Sequence, residues 1–123
     1  MITIRRPNLQ LIYVSDIKQS THYYQMIFNI EPYFITPRYV VFNIDGEANF
    51  AIWSGAGEPD KDAPRYSEIG MCLNSDKEVK ELYSEWEANT DINIHTPLHT
   101  DVFGETFLVK DPDGHLIRIS SAD

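Results

Sequence analysis

Apolar and polar positions along the chain change period twice, from about two to about three and a half and back. Residues 8–14 (NLQLIYV) form a short apolar, partly β-branched run that reads as a strand. Asp16 then predicts a helix N-cap, with Gln19 three residues on as its capping-box partner. Ile17, Ser20/Thr21, Tyr24 and Ile27/Phe28 recur at helical spacing, with small residues mid-stripe where a helix can lie close on a sheet. Pro32 is expected to close the helix. Extended segments follow at 33–36, 38–44 and 47–53. Asp45-Gly46 between the last two is a strong hairpin signal, because both turn residues must reach positive φ.

Residues 54–65 (SGAGEPDKDAPR) carry no periodicity and read as a linker or lid. The pattern then restarts. Residues 66–73 alternate, with Ile69, Met71 and Leu73 on one face and Tyr66, Glu68, Gly70 and Cys72 on the other. Ser75 and Glu78 form a capping box, and Val79, Leu82, Tyr83 and Trp86 mark an amphipathic helix. Extended runs follow at 92–96, 105–110 and 115–120, the last two joined by Asp111-Pro112-Asp113-Gly114. The two cap residues, Asp16 and Ser75, lie 59 positions apart, as do the strand ends Val14 and Leu73. The expected fold class is therefore α+β: tandem βαβββ modules forming a curved mixed sheet with helices on its outer face. A single domain spans 1–123, with one module over about 8–53, a linker over about 54–65 and a second module over about 66–120.

Composition narrows the partners. Ten Lys+Arg against 19 Asp+Glu give a net charge of −9, which opposes binding to nucleic acid or to an anionic membrane surface. A single cysteine, Cys72, excludes an internal disulfide and a cysteine-based zinc site. No run is long enough for a membrane span, and residues 1–7 carry no apolar stretch of signal-peptide length, so a cytoplasmic location is expected.

The Asp45-Gly46 turn predicts a register in which Ile44 faces Glu47, Phe42 faces Asn49, Val40 faces Ala51 and Arg38 faces Trp53. Val41, Phe50 and Ile52 then lie under a helix, and Phe42, Arg38 and Trp53 on the opposite face. Arg38 beside Trp53 suits a cation–π contact worth about 0.5–2 kcal/mol. A four-residue turn at 111–114 would place Phe107 opposite Arg118 in the same way. Trp53, Phe42, Phe107 and Tyr66 would line an aromatic slot, with Glu68 orienting a polar group of a ligand. Against this stand the plainer readings, that the aromatics are core and Glu68 a solvated carboxylate.

Catalytic signatures are scarce. His95 and His99 are four apart, yet Pro97 between them opposes one helical face; His22 and His115 lie elsewhere. Asp111-Pro-Asp113-Gly114 resembles the start of a calcium loop without its closing Glu. Ser15-Asp-Ile-Lys18 matches S-x-x-K without the partners such an enzyme needs.

The tandem βαβββ order, the opening VSDIKQSTHYY and the closing DPDGHLI resemble the vicinal-oxygen-chelate superfamily, the glyoxalase/bleomycin-resistance/dioxygenase group, over the whole chain. That resemblance implies a dimer with ligand clefts in curved sheets, and in its enzymes a divalent metal on four strand positions. Here those positions correspond to Leu9, Ala51, Glu68 and Arg118, of which one can ligate, so no metal or other cofactor is expected. FAIWSG (50–55) and TDVFG (100–104) resemble more narrowly the superfamily's phenazine-resistance proteins, which bind griseoluteic-acid-type phenazines. By that resemblance Trp53 stacks on a planar tricycle, Arg38 and Glu68 give polar contacts, and Phe103 and Phe107 complete the slot. The expected function is metal-free sequestration of a planar aromatic antibiotic by a homodimer. The alternatives are an enzyme of the same fold, metal-dependent or metal-independent, and a binder of a different metabolite.

Overall fold

The computed structural model describes residues 1–121. Its contacts divide the chain into two units, Met1–Pro59 and Asp60–Asp123. In the first, β1 (Leu9–Tyr13) leads into α1 (Ile17–Phe28), followed by β2 (Phe34–Ile35), β3 (Tyr39–Asp45) and β4 (Ala48–Trp53). In the second, β5 (Ile69–Cys72) and α2 (Asp76–Glu87) precede β6 (Asn93–Asp101), β7 (Gly104–Lys110) and β8 (Leu116–Ser120). Each unit forms one four-stranded mixed sheet, ordered β1-β4-β3-β2 and β5-β8-β7-β6. The first and last strands of each unit pair in parallel, as a connection through a helix requires. The repeated strand order is the duplication that the cap spacing predicts.

The caps behave as their residue types dictate. Asp16 accepts from the Gln19 N–H at 3.1 Å, and Ser75 from the Glu78 N–H at 3.2 Å. The Glu78 carboxylate reaches back to the Asn74 N–H at 3.0 Å, one residue before the cap. α1 stops at Phe28, ahead of Pro32, because Asn29 takes the left-handed conformation (φ 53°) and ends the helical ladder.

Ser20, Tyr23, Tyr24 and Ile27 are the buried stripe of α1. The Tyr24 and Phe28 rings lie 4.9 and 5.1 Å from Phe50, and Phe28 lies 5.9 Å from Phe42. Beneath α2, Phe107 takes edge contacts from Tyr83 at 5.0 Å and Trp86 at 5.9 Å. Phe42 and Phe107 are fully buried on the helix side of their sheets. This corrects the face expected for both, and the cause is register.

In the first hairpin Asp45 pairs with Ala48, so Gly46 (φ 52°) and Glu47 make the turn, and the ladder shifts at Ile44 between Asn43 and Asp45. Turn and bulge together slip the pairing by one residue, which brings Phe42 opposite Phe50 and Tyr39, not Arg38, opposite Trp53. In the last hairpin the Asp111 N–H bonds the His115 carbonyl at 2.9 Å, leaving three loop residues instead of four. Leu108 therefore pairs with Arg118, and Phe107 with Ile119.

β6 extends well past the run expected at 92–96, through Pro97 to Asp101. Proline is tolerated because β6 is an edge strand and its register shifts on both sides of Thr96. Part of the expected linker is ordered: Arg65 donates to the carbonyls of Asp60 (3.0 Å), Ala63 (3.0 Å) and Asp113 (2.8 Å). Among the described residues no helix is long and apolar enough to cross a membrane.

Candidate functional site

Once Phe42, Phe50 and Ile52 face α1, the opposite side of the first sheet carries Leu9, Leu11 and Tyr13 of β1 beside Asn49, Ala51 and Trp53 of β4. Leu9 and Tyr13 are about half exposed there, at 50% and 47%. Trp53 is half-buried, with the Tyr13 ring edge-on at 5.7 Å and 79°. Its backbone is held on both sides: the Val14 N–H bonds the Trp53 carbonyl at 3.0 Å, and the next N–H, of Ser54, bonds the Arg38 carbonyl at 2.9 Å. Arg38 precedes β3 and is exposed, and the side chain facing Trp53 across the ladder is Tyr39. The expected Arg38–Trp53 cation–π pair is absent from the cation–π contacts of the described residues.

In the second unit the face away from α2 holds Gly70 and Cys72 of β5, Thr106 and Leu108 of β7, and Arg118 and Ser120 of β8. Arg118 Nε donates to Glu68 Oε1 at 2.6 Å and Nη2 to Oε2 at 3.0 Å, a two-point fork. Arg118 Nη1 donates to Thr106 Oγ1 at 3.2 Å, and that hydroxyl donates to the Ile119 carbonyl at 2.8 Å. The guanidinium carbon sits 4.7 Å from the centroid of the Phe103 ring. The hydrogen bond to Glu68 raises the Arg118 pKa above the ordinary arginine value, against a smaller opposing effect of burial.

TDVFG has a local explanation. Asp101 pairs with Gly104 (φ 81°), so Val102 and Phe103 form a two-residue hairpin tip, and Asp101 Oδ1 accepts from the Val102 N–H at 2.7 Å. The structure thus joins Glu68 with Phe103 through Arg118, and Trp53 with Tyr13. Tyr66 is 95% exposed. Tyr13 and Thr106 were not foreseen as part of these clusters; parallel pairing of β1 with β4 places the first, and the one-residue change of register the second.

The sequence model of the Glyoxalase/Bleomycin resistance protein/Dioxygenase superfamily matches residues 6–119. The chain belongs to this superfamily. It is 52% identical over 120 residues to the phenazine antibiotic resistance protein EhpR of Enterobacter agglomerans, covering 95% of this chain and 92% of that one. Among solved structures, a protein from Agrobacterium tumefaciens matches with TM-score 0.78 at 20% identity, over 98% of this chain and 99% of that one. A variant of the fosfomycin resistance protein FosX from Listeria monocytogenes matches with TM-score 0.77 at 20% identity, over 98% and 93%. At that identity the two structures establish the fold alone.

The four strand positions implied for a superfamily metal do not suit one in this chain. Leu9 and Ala51 offer no lone pair, and both oxygens of Glu68 accept from Arg118, whose fixed positive charge opposes a divalent cation. Of the histidines, His95 Nδ1 lies 3.0 Å from Thr96 Oγ1 and His99 Nδ1 2.9 Å from the Pro97 carbonyl. Among the described residues no three His, Cys, Asp or Glu side chains group in a way that could hold a metal ion.

Proposed function

We propose that this chain binds and sequesters a planar aromatic antibiotic of the phenazine class, without a metal and without converting it. The observation that carries the reading is Trp53: a large indole left only half-buried on the sheet face turned away from α1, braced edge-on by Tyr13. A partly exposed aromatic ring on the same face as apolar Leu11, one strand step away, is a surface on which a flat π-system gains both stacking and burial. The 52% identity to a phenazine antibiotic resistance protein supports the choice of ligand class. Glu68, Phe103, Tyr66 and Arg38 are proposed as further contacts, with the Glu68–Arg118 pair supplying fixed donors and acceptors. The proposed assembly is a homodimer in the cytoplasm.

Affinity near micromolar, about −8 kcal/mol, is expected from stacking plus apolar burial. Titration of the protein with phenazine-1-carboxylate should quench its tryptophan fluorescence, and Trp53→Ala should raise the dissociation constant at least tenfold. Trp86, packed on Phe107 under α2, remains as an internal reporter of folding. An unchanged titration curve in the variant would remove Trp53 from the site and the reading with it. A new product in the mass spectrum after incubation would replace sequestration by catalysis, and a stoichiometric divalent ion lost in Glu68→Gln would overturn the metal-free reading. Native mass spectrometry tests the dimer through its doubled mass.

A further inference from the structure

Gly55 follows Trp53 by two residues, and its Cα lies directly against the indole. A Cβ built there would sit 2.2 Å from Trp53 Nε1, 2.8 Å from Cε2 and 3.2 Å from Cδ1, whereas real Cβ atoms essentially never come within 3.0 Å of another heavy atom. No left-handed φ accounts for this glycine, since the positive-φ glycines are Gly46, Gly104 and Gly114. What a side chain there would meet is the ring. Gly57, two residues further along the same connection, has nothing within 4 Å of an added Cβ.

We infer that Gly55 is a positioning residue, which sets the rotamer of Trp53 and through it the stacking surface for the ligand. This rests on the reading of Trp53 as the stacking residue and deepens it. A clash is relieved by whichever partner moves more easily. The backbone at Trp53 and Ser54 is tied to Val14 and to Arg38 by hydrogen bonds of 3.0 and 2.9 Å, so the chain resists displacement up to the residue before Gly55. The indole is the free end of a side chain with two rotatable bonds, and it is the group that must swing. The swing takes the ring away from its edge contact with Tyr13, which lies 5.7 Å off in the present rotamer. A stacking platform that is no longer held in one orientation binds a flat ligand more weakly, because ligand and ring must be ordered together.

The test compares Gly55→Ala with Gly57→Ala in the full chain. The side-chain Nε1–H resonances of Trp53 and Trp86, assigned with Trp53→Phe and Trp86→Phe, report ring environment before any ligand is added. Gly55→Ala is expected to shift the Trp53 resonance and leave that of Trp86 in place, and to weaken phenazine-1-carboxylate binding at least tenfold. Gly57→Ala is expected to change neither. A Trp53 resonance unmoved by Gly55→Ala overturns the inference, even if Trp53→Ala still abolishes binding. A shifted resonance with unchanged affinity keeps Gly55 as the residue that orients the ring and overturns the stacking role of Trp53 instead. Loss of both tryptophan resonances from their folded positions means general unfolding and counts against a specific positioning role.

Discussion

Phe103 and Phe107 lie four residues apart and do opposite work. Phe107 is fully buried between Tyr83 and Trp86, while Phe103 sits at a hairpin tip with the Arg118 guanidinium on its ring. Phe107→Ala should cost about 3–5 kcal/mol in urea unfolding, from lost burial plus the cavity left behind. Phe103→Ala should cost less than about 1.5 kcal/mol and act mainly on ligand affinity. Equal losses of stability would contradict the two assigned environments. Asp76, the first residue of α2, accepts from the Ser121 hydroxyl and from the Glu105 N–H at 3.0 Å, and Lys80 is close enough to add attraction. The Ser121 hydroxyl contributes most to holding its carboxyl below the usual aspartate range, the Glu105 N–H next, against a smaller effect of burial. A carboxylate with a depressed folded pKa stabilises the fold above its unfolded pKa, near 4, and loses that contribution as pH falls through the folded value. The difference in melting temperature between the protein and Asp76→Asn should accordingly be present at pH 6 and shrink as pH falls below the ordinary aspartate range. A difference that stays constant as pH falls would mean the carboxylate's charge is not what these donors stabilise.

At the level of elements, the two helices share one design: a short polar cap, twelve helical residues and a stripe packed on a four-stranded sheet. Asp16→Ala and Ser75→Ala should each cost about 1 kcal/mol of unfolding free energy, because each frees one N–H of the first turn from its side-chain acceptor. Changes below about 0.3 kcal/mol in both would indicate that water replaces the cap without loss. The hairpins carry the more consequential geometry. A bulge at Ile44 and a three-residue loop at Pro112–Gly114 decide which aromatics face helix and which face away. The loop is shaped by Asp111, whose Oδ1 accepts from the N–H groups of Asp113 (2.9 Å) and His115 (2.8 Å), and by Gly114 at φ 89°. A Cβ on Gly114 would also meet the Lys61 carbonyl at 2.8 Å, so this glycine answers to a close approach as well as to φ.

Across the whole chain, charge is divided unevenly: four basic against five acidic residues up to Pro59, and six against fourteen after it. The first unit, nearly neutral, carries the apolar strip with Leu9, Leu11, Tyr13 and Trp53, and the second carries the Glu68–Arg118 fork. A ligand that binds only the folded protein raises stability by about 2.7 kcal/mol at a hundredfold excess over its dissociation constant. For a chain of 123 residues this amounts to a rise in melting temperature of about 10 °C. Phenazine-1-carboxylate at that excess should produce the rise in the unaltered protein and little in Trp53→Ala. An equal rise in both would place the ligand elsewhere on the molecule.

The sequence by itself determined what depends on local chemistry and on period. Caps at Asp16 and Ser75, the two amphipathic stripes, the presence of a hairpin around Gly46 and the repeat of order 59 residues later are written in neighbouring residue types, and they led to the α+β duplication. The outward placement of Glu68 against Ile69 and Met71 was legible for the same reason, since side chains on one strand alternate whatever that strand pairs with. Facing across strands was not legible, because one bulge or one loop residue changes every partner in a ladder. Tertiary structure alone therefore moved Phe42 and Phe107 under the helices, placed Tyr39 opposite Trp53 in place of Arg38, and brought Arg118 onto Phe103. The meaning of Gly55 belongs to the same class. A glycine in a Gly/Pro-rich connection looks like slack, and only the position of an indole two residues away makes it a contact.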